Sequence, residues 1–154
     1  MNNLVKQPNS QMCFVCGMEN SIGLKQFFYQ DENGQVTTTF TPRNEHQGYP
    51  GTLHGGITAA LLDEVLGRVI IARGVWMVTA RMEIRYKQMI PLNQPLTIVG
   101  KAIRETNRLL EAKGELRLAD GSVAATATAT FLPAPKEMIK DAEKSIEYWQ
   151  VVPD

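Results

Sequence analysis

An α+β fold, with one long helix wrapped by a curved antiparallel sheet, is predicted by three features of this 154-residue sequence. The segment Gly55 to Arg73 is apolar around most of a helical circumference, as a helix buried on most sides must be. Met82-Glu83-Ile84-Arg85-Tyr86-Lys87 and Ala125 to Phe131 alternate with the period of half-buried strands. The order of segments is strand, strand, long helix, four strands, short helix. A sheet curling around the central helix accommodates that order.

Residues 1–12 are polar and read as a flexible N-terminal tail. Cys13 and Cys16 follow in CFVCG. Half of a zinc site, a redox pair and a packing turn are the three readings. A structural zinc usually takes four ligands, and this chain has no third cysteine, while its two histidines lie elsewhere. A redox pair of this spacing normally sits near a βαβ pattern, whereas here a polar tail precedes it and Gly17, Asn20 and Gly23 follow. A packing turn is the expected role.

Leu24 to Asp31, LKQFFYQD, is strand-like. Asp31-Glu32-Asn33-Gly34 is a turn carrying the Asn-Gly hairpin signal, and Gln35 to Thr41 is a second strand. Pro42 to Leu53 is loop. The helix then runs from Gly55 to Arg73. Four strands are expected at 75–90, 95–107, 109–119 and 122–132, with Asn93, Asn107 and Asp120-Gly121 at the turns. Pro133 and Pro135 end the last strand, and Lys136 to Trp149 reads as an exposed amphipathic helix. The chain thus divides into the tail, one domain over 13–135, and a C-terminal helix and tail over 136–154.

The charges balance, 16 basic against 16 acidic, so no global field draws nucleic acid or an anionic membrane. No basic run interleaves with the few aromatics. No apolar run approaches the roughly 20 residues that span a bilayer. The start, MNNLVKQPNSQMC, has no apolar signal-peptide core, so a cytoplasmic protein with reduced thiols is expected.

The chemistry concentrates in EHQGYPGTLHGGITAALLDEVL, Glu45 to Leu66. His54-Gly55-Gly56 opens the helix, where amide N–H groups lack intrahelical acceptors and the helix dipole favours negative charge. Glycines there let a ligand approach the backbone. Such amides can form an oxyanion hole, or the glycines merely allow close packing. Asp63 and Glu64 are carboxylates in an otherwise apolar helix, where a charge needs a partner or a task. They point about 100° apart. Glu64 is four residues before Arg68 and suits a structural ion pair, which leaves Asp63 as the candidate for chemistry. Gly55 and Asp63 lie about 12 Å apart along the axis. If both act on one carbon, two antiparallel helices from two subunits must meet, which predicts a homodimer with two shared sites.

HQGYPGTLHGGITAALLDE, with VTARMEIRYKQMIPL after it and CFVCGMENSIGL before it, resembles the hotdog-fold acyl-CoA thioesterases of the PaaI/THEM-like branch. The resemblance covers roughly residues 13–132. It implies a central helix in a curved antiparallel sheet, dimers assembled into dimers of dimers or larger, and metal-free hydrolysis of a fatty or aromatic acyl-CoA. By position it makes Asp63 the nucleophile or general base and Gly55 the oxyanion amide, with Gly56 beside it. It places Thr79 where it would hold the attacking water, and His46 near the thioester carbonyl. His54 would orient the turn. Together, Asp63, Gly55 and Thr79 are the expected catalytic residues, and His46, His54 and Gly56 the expected substrate-binding ones. No metal ligand and no cofactor is expected.

Leu61, Val78 and Met82 are expected to line an acyl tunnel. Arg85, Lys87, Lys101 and Arg104 could meet the phosphates of CoA, though a solvated sheet face explains them equally. Two other functions fit the same residues. One is a hydratase or dehydratase acting on thioesters, for which His46 or His54 would have to reach the Cα–Cβ bond. The other is a non-catalytic acyl-CoA-binding module, which has no need of a buried carboxylate.

Overall fold

The apolar segment forms helix α1, Gly55–Ile71, and its Leu61, Leu62, Val65 and Leu66 are fully buried. Each contributes about 1.5–3 kcal/mol by leaving water. In chain order the strands are β1 Val5–Lys6, β2 Tyr29–Gln30, β3 Val36–Phe40, β4 Met77–Tyr86, β5 Leu96–Glu105, β6 Leu110–Arg117 and β7 Val123–Pro133. A second helix, α2, spans Lys136–Lys144. The computed structural model describes residues 3–71, 73–144 and 149–153. All seven strands pair antiparallel in one curved sheet, ordered β1-β2-β3-β5-β6-β7-β4, and α1 packs chiefly on β5 and β6.

Two glycines set how closely the helix approaches. Gly100 of β5 pairs directly with Gly114 of β6. A Cβ on Gly100 would stand 3.2 Å from the Val65 carbonyl oxygen, and one on Gly114 would stand 3.2 Å from Leu66 Cδ2 and 2.8 Å from the Val99 carbonyl oxygen. The missing side chains make a flat seat for the middle of α1. Ala112, Ala125, Ala127 and Ala129 continue that small-residue floor on β6 and β7.

The first expected strand is much shorter than its aromatic composition suggests. Lys25 takes a left-handed backbone with φ 52°, which no strand can contain, so only Tyr29 and Gln30 of LKQFFYQD pair. Phe28 is nevertheless fully buried. The segment expected to be a loose tail also differs. Val5 and Lys6 pair with β2, and Gln7 and Asn9 are buried. Their amides substitute for a sheet partner: Asn9 Nδ2 donates to the carbonyls of Cys16 and Gln26, and Gln7 Nε2 to that of Arg68. At the other end, the expected helix to Trp149 is described as far as Lys144, and residues 145–148 lie outside the described residues. Trp149 packs against the core, its ring over the buried Arg68 guanidinium.

Strand β4 lies at the end of the sheet, with no partner on its outer side among the described residues. Its register slips once, between Thr79 and Arg81, so Ala80 is an extra residue. The slip has a local consequence. Counting by twos from Ile84 and Met82 would put Ala80 and Val78 on the helix side. The bulge reverses that parity and turns Thr79 toward α1.

Candidate active site

His54 is the residue that starts α1 and shapes its mouth. Its N–H donates to the His46 carbonyl at 2.9 Å, which ties the helix to the loop before it. Its own carbonyl accepts from the N–H groups of Ile57 and Thr58. Its Nδ1 accepts the Gly56 N–H at 2.8 Å. Three of the first four helix amides are therefore used within the chain, including that of Gly56, which was expected to face the substrate. The Gly55 N–H has no acceptor among the described residues, and Gly55 is exposed. A cleft of about 490 Å³ lies beside it, lined by Tyr49, Leu53, Thr58, Tyr86, Lys87 and Met89 among others. Tyr86 closes one side by donating its hydroxyl to the Gly55 carbonyl at 2.9 Å. The Thr58 hydroxyl is buried at this cleft without a hydrogen-bond partner among the described residues.

Two turns further along α1, Thr79 Oγ1 donates to Asp63 Oδ1 at 3.0 Å. The bulge at Ala80 makes this contact possible. Asp63 is half-buried, and its carboxyl is held above the usual carboxylate range. Burial is the main cause, the neighbouring Glu64 adds to it, and the Thr79 hydrogen bond opposes it. One carboxylate oxygen is thus fixed by a hydroxyl. A carboxylate oriented in this way can act as a nucleophile or as a base toward water.

A family model for the thioesterase superfamily matches residues 50–125, which include the mouth of α1, Asp63 and Thr79. Acyl-coenzyme A thioesterase THEM4 of Mus musculus is 28% identical over 134 residues, covering 86% of this chain and 58% of the relative. The crystal structure of a thioesterase superfamily protein superposes with a TM-score of 0.74 at 35% identity, covering 78% of this chain and 59% of that one. The chain belongs to the hotdog-fold thioesterase superfamily. A hypothetical thioesterase of Streptococcus pneumoniae TIGR4, solved with coenzyme A, superposes with a TM-score of 0.64 at 27% identity, covering 66% of this chain and 80% of that one. Two further structures of that streptococcal protein carry alanine in place of an aspartate and of a threonine, 16 residues apart as Asp63 and Thr79 are here. The chain spans little more than half the length of the mouse relative.

The other expected site residues of this thioesterase-superfamily domain are spread more widely. His46 ends a short 3-10 turn, Asn44–His46, and its Nδ1 accepts the Arg43 N–H at 2.9 Å. Its ring stacks obliquely on Phe40, with centroids 5.1 Å apart. Burial first, and then Arg43, lower its pKa, so it is neutral at pH 7. Of the four expected phosphate contacts, only Lys87 lines the cleft beside Gly55. Arg85 reaches Glu83 at 3.8 Å and Arg104 reaches Glu111 at 4.0 Å, while Lys101 lies opposite Lys113 across β5 and β6. Leu61 is fully buried in the core, so it cannot line a tunnel at the surface, whereas Val78 and Met82 are partly exposed.

Glu64 makes the expected pair with Arg68, Oε1 to Nε at 3.0 Å. Arg68 is itself 1% exposed, clamped between the rings of Phe28 and Trp149 and donating to the Pro8 carbonyl. Sequence reasoning missed Tyr86 and Thr58 at the helix mouth. Neither carries a motif: Tyr86 is brought to the mouth by the end of β4, and Thr58 lies in the first turn of α1.

No helix among the described residues is long and apolar enough to cross a membrane.

Proposed function

We propose that this domain hydrolyses acyl-CoA thioesters to free acid and CoA, at sites shared between two chains. The 3.0 Å contact of Thr79 with Asp63 carries the reading. The coenzyme A bound by the streptococcal structure supports a CoA substrate. The aspartate and threonine altered in that protein stand at the spacing of Asp63 and Thr79.

In this mechanism the thioester carbonyl oxygen accepts from the Gly55 N–H, whose position at the helix start favours the charge that develops there. Asp63 uses Oδ2, because Oδ1 is held by Thr79. It either attacks the carbonyl carbon, with water cleaving the resulting anhydride, or takes a proton from water as that water attacks. The thiolate of CoA leaves and is protonated, so one water is consumed for each acid and thiol formed. Thr79 donates its only proton to Asp63, yet its oxygen can still accept from the attacking water. The separation of about 12 Å between Gly55 and Asp63 along α1 requires the amide of one chain and the carboxylate of another. The unpaired outer edge of β4, ten residues long and next to Thr79, supplies a surface for that second chain.

Thiol release from short, medium, long and aromatic acyl-CoAs tests the reading. Release from at least one class is the expected result. Absence of release while CoA ligands still raise the melting temperature would make the domain a binding module. A change in double-bond absorbance without thiol release would make it a hydratase.

Thr79→Ala supplies a sharper test through pH. Hydrolysis needs ionised Asp63, so activity falls as pH drops through its pKa. The Thr79 hydrogen bond lowers that pKa, and its loss moves the acid limb of kcat to higher pH. At neutral pH, kcat falls by roughly 10- to 100-fold as the carboxylate loses its fixed orientation. An acid limb that stays in place would exclude the contact from the reaction.

A further inference from the structure

We propose that Cys13, Cys16 and Glu64 bind a zinc-class divalent ion that pins the amino-terminal segment to helix α1. The two sulfurs and a carboxylate oxygen lie within 4.8 Å of one another. Cys13 Sγ is 3.7 Å from Glu64 Oε2. Zinc bonds of about 2.3 Å to sulfur and about 2.0–2.2 Å to oxygen at tetrahedral angles give a sulfur–oxygen edge of about 3.5 Å, so the contact is already close to ligand spacing. Two cysteines and one carboxylate leave a fourth position for solvent.

The turn around the cysteines is built to hold sulfur in a fixed direction. The N–H groups of Val15 and Cys16 both point at Cys13 Sγ, at 3.4 and 3.5 Å, which fixes the direction of that sulfur. Ser10 accepts the Cys13 N–H and sets its hydroxyl 3.3 Å from Cys16 Sγ. Gly17 donates to the Cys13 carbonyl, and a Cβ on it would fall 2.4 Å from that oxygen. Only glycine closes the turn so tightly. On the helix side, Arg68 holds Oε1 of Glu64 and leaves Oε2 aimed at the sulfurs. An outer partner of this kind orients a metal ligand.

Charge completes the argument. Two thiolates and a carboxylate carry three negative charges, which one divalent ion and the Arg68 guanidinium balance. A disulfide between the two cysteines would not need Glu64. The carboxylate ligand sits on a distant helix, so cysteine and histidine spacing alone conceals it. Because Glu64 follows Asp63 directly, the ion would fix the turn of α1 that carries the candidate catalytic residue without entering the reaction.

The full chain, reduced and stripped of metal, is loaded with zinc, desalted and analysed for metal. One zinc per chain is expected. Cobalt in its place should show sulfur-to-metal charge-transfer absorption and the bands of a tetrahedral ion. Cys13→Ser and Cys16→Ser should lose both signals. Glu64→Gln, which keeps an oxygen for Arg68, should weaken binding by about tenfold or more, a loss that removal of even an outer partner causes. Failure of the folded, reduced protein to retain zinc would overturn the proposal. So would zinc that survives either serine substitution, or a Cys13–Cys16 disulfide as the cluster's only response. Metal content is read independently of thioester turnover.

Discussion

Asp63→Asn is expected to lower thiol release from acyl-CoA by about 10³-fold or more while leaving the fold intact. A positioned base contributes roughly 10²–10⁴-fold, and a nucleophile cannot be replaced by an amide at all. Asparagine keeps the shape and still offers an oxygen to the Thr79 hydroxyl. The charge it removes is held at a cost, since burial raises the Asp63 pKa above its ordinary value. The linkage has a definite sign. A carboxyl whose folded pKa is raised costs the native state stability as pH climbs through the carboxylate range. The melting temperature of Asp63→Asn at neutral pH should therefore equal or exceed that of the parent. Steady-state thiol release together with thermal unfolding checks both halves. Activity within tenfold of the parent would remove Asp63 from the mechanism.

Arg68→Met should produce the largest loss of stability, about 3–5 kcal/mol, the usual result of leaving one member of a buried ion pair alone. Methionine fills much of the space but strands four groups. Glu64 loses its partner at 3.0 Å, the Pro8 carbonyl loses its donor, and Phe28 and Trp149 lose the cation between them. The deficit should depend on pH. Burial already raises the Glu64 pKa and Arg68 opposes that rise. In the variant the pKa climbs further, so the penalty is small where Glu64 is protonated and grows as pH rises through the carboxylate range. Urea unfolding at acidic and neutral pH checks the size and the trend. A loss below about 1 kcal/mol at neutral pH, as for an ordinary exposed pair, would mean that Arg68 is not the keystone its burial indicates.

The large features of the fold were legible because they depend on periodicity. An apolar circumference marks α1, and strict alternation marks β4 and β7, whatever else the chain does. The features that escaped depend on single residues acting across the fold. Lys25 ends a strand that its aromatic neighbours favour, through a backbone angle that composition does not encode. Gln7 and Asn9 look like tail residues, yet their amides find buried carbonyls and hold the N-terminal segment in place. In the site, Asp63 stood out as a carboxylate in an apolar helix, and Gly55 as a glycine at its mouth. The meeting of Asp63 with Thr79 rests on one extra residue at Ala80, and period-two counting alone places Thr79 on the wrong face. That His54 would occupy the Gly56 amide and leave Gly55 free is a matter of ring geometry, not of spacing.

The most direct test mixes two inactive variants. Asp63→Asn lacks the carboxylate. Gly55→Pro lacks the amide donor, and proline is well tolerated at the first position of a helix. Each variant alone should release almost no thiol. Subunit exchange between equal amounts should make half of the dimers mixed, each with one intact site, and restore about a quarter of the parent activity. Two folded variants that remain inactive after exchange, or a Gly55→Pro protein that is active alone, would contradict a site built from the Gly55 amide of one chain and the Asp63 carboxylate of its partner.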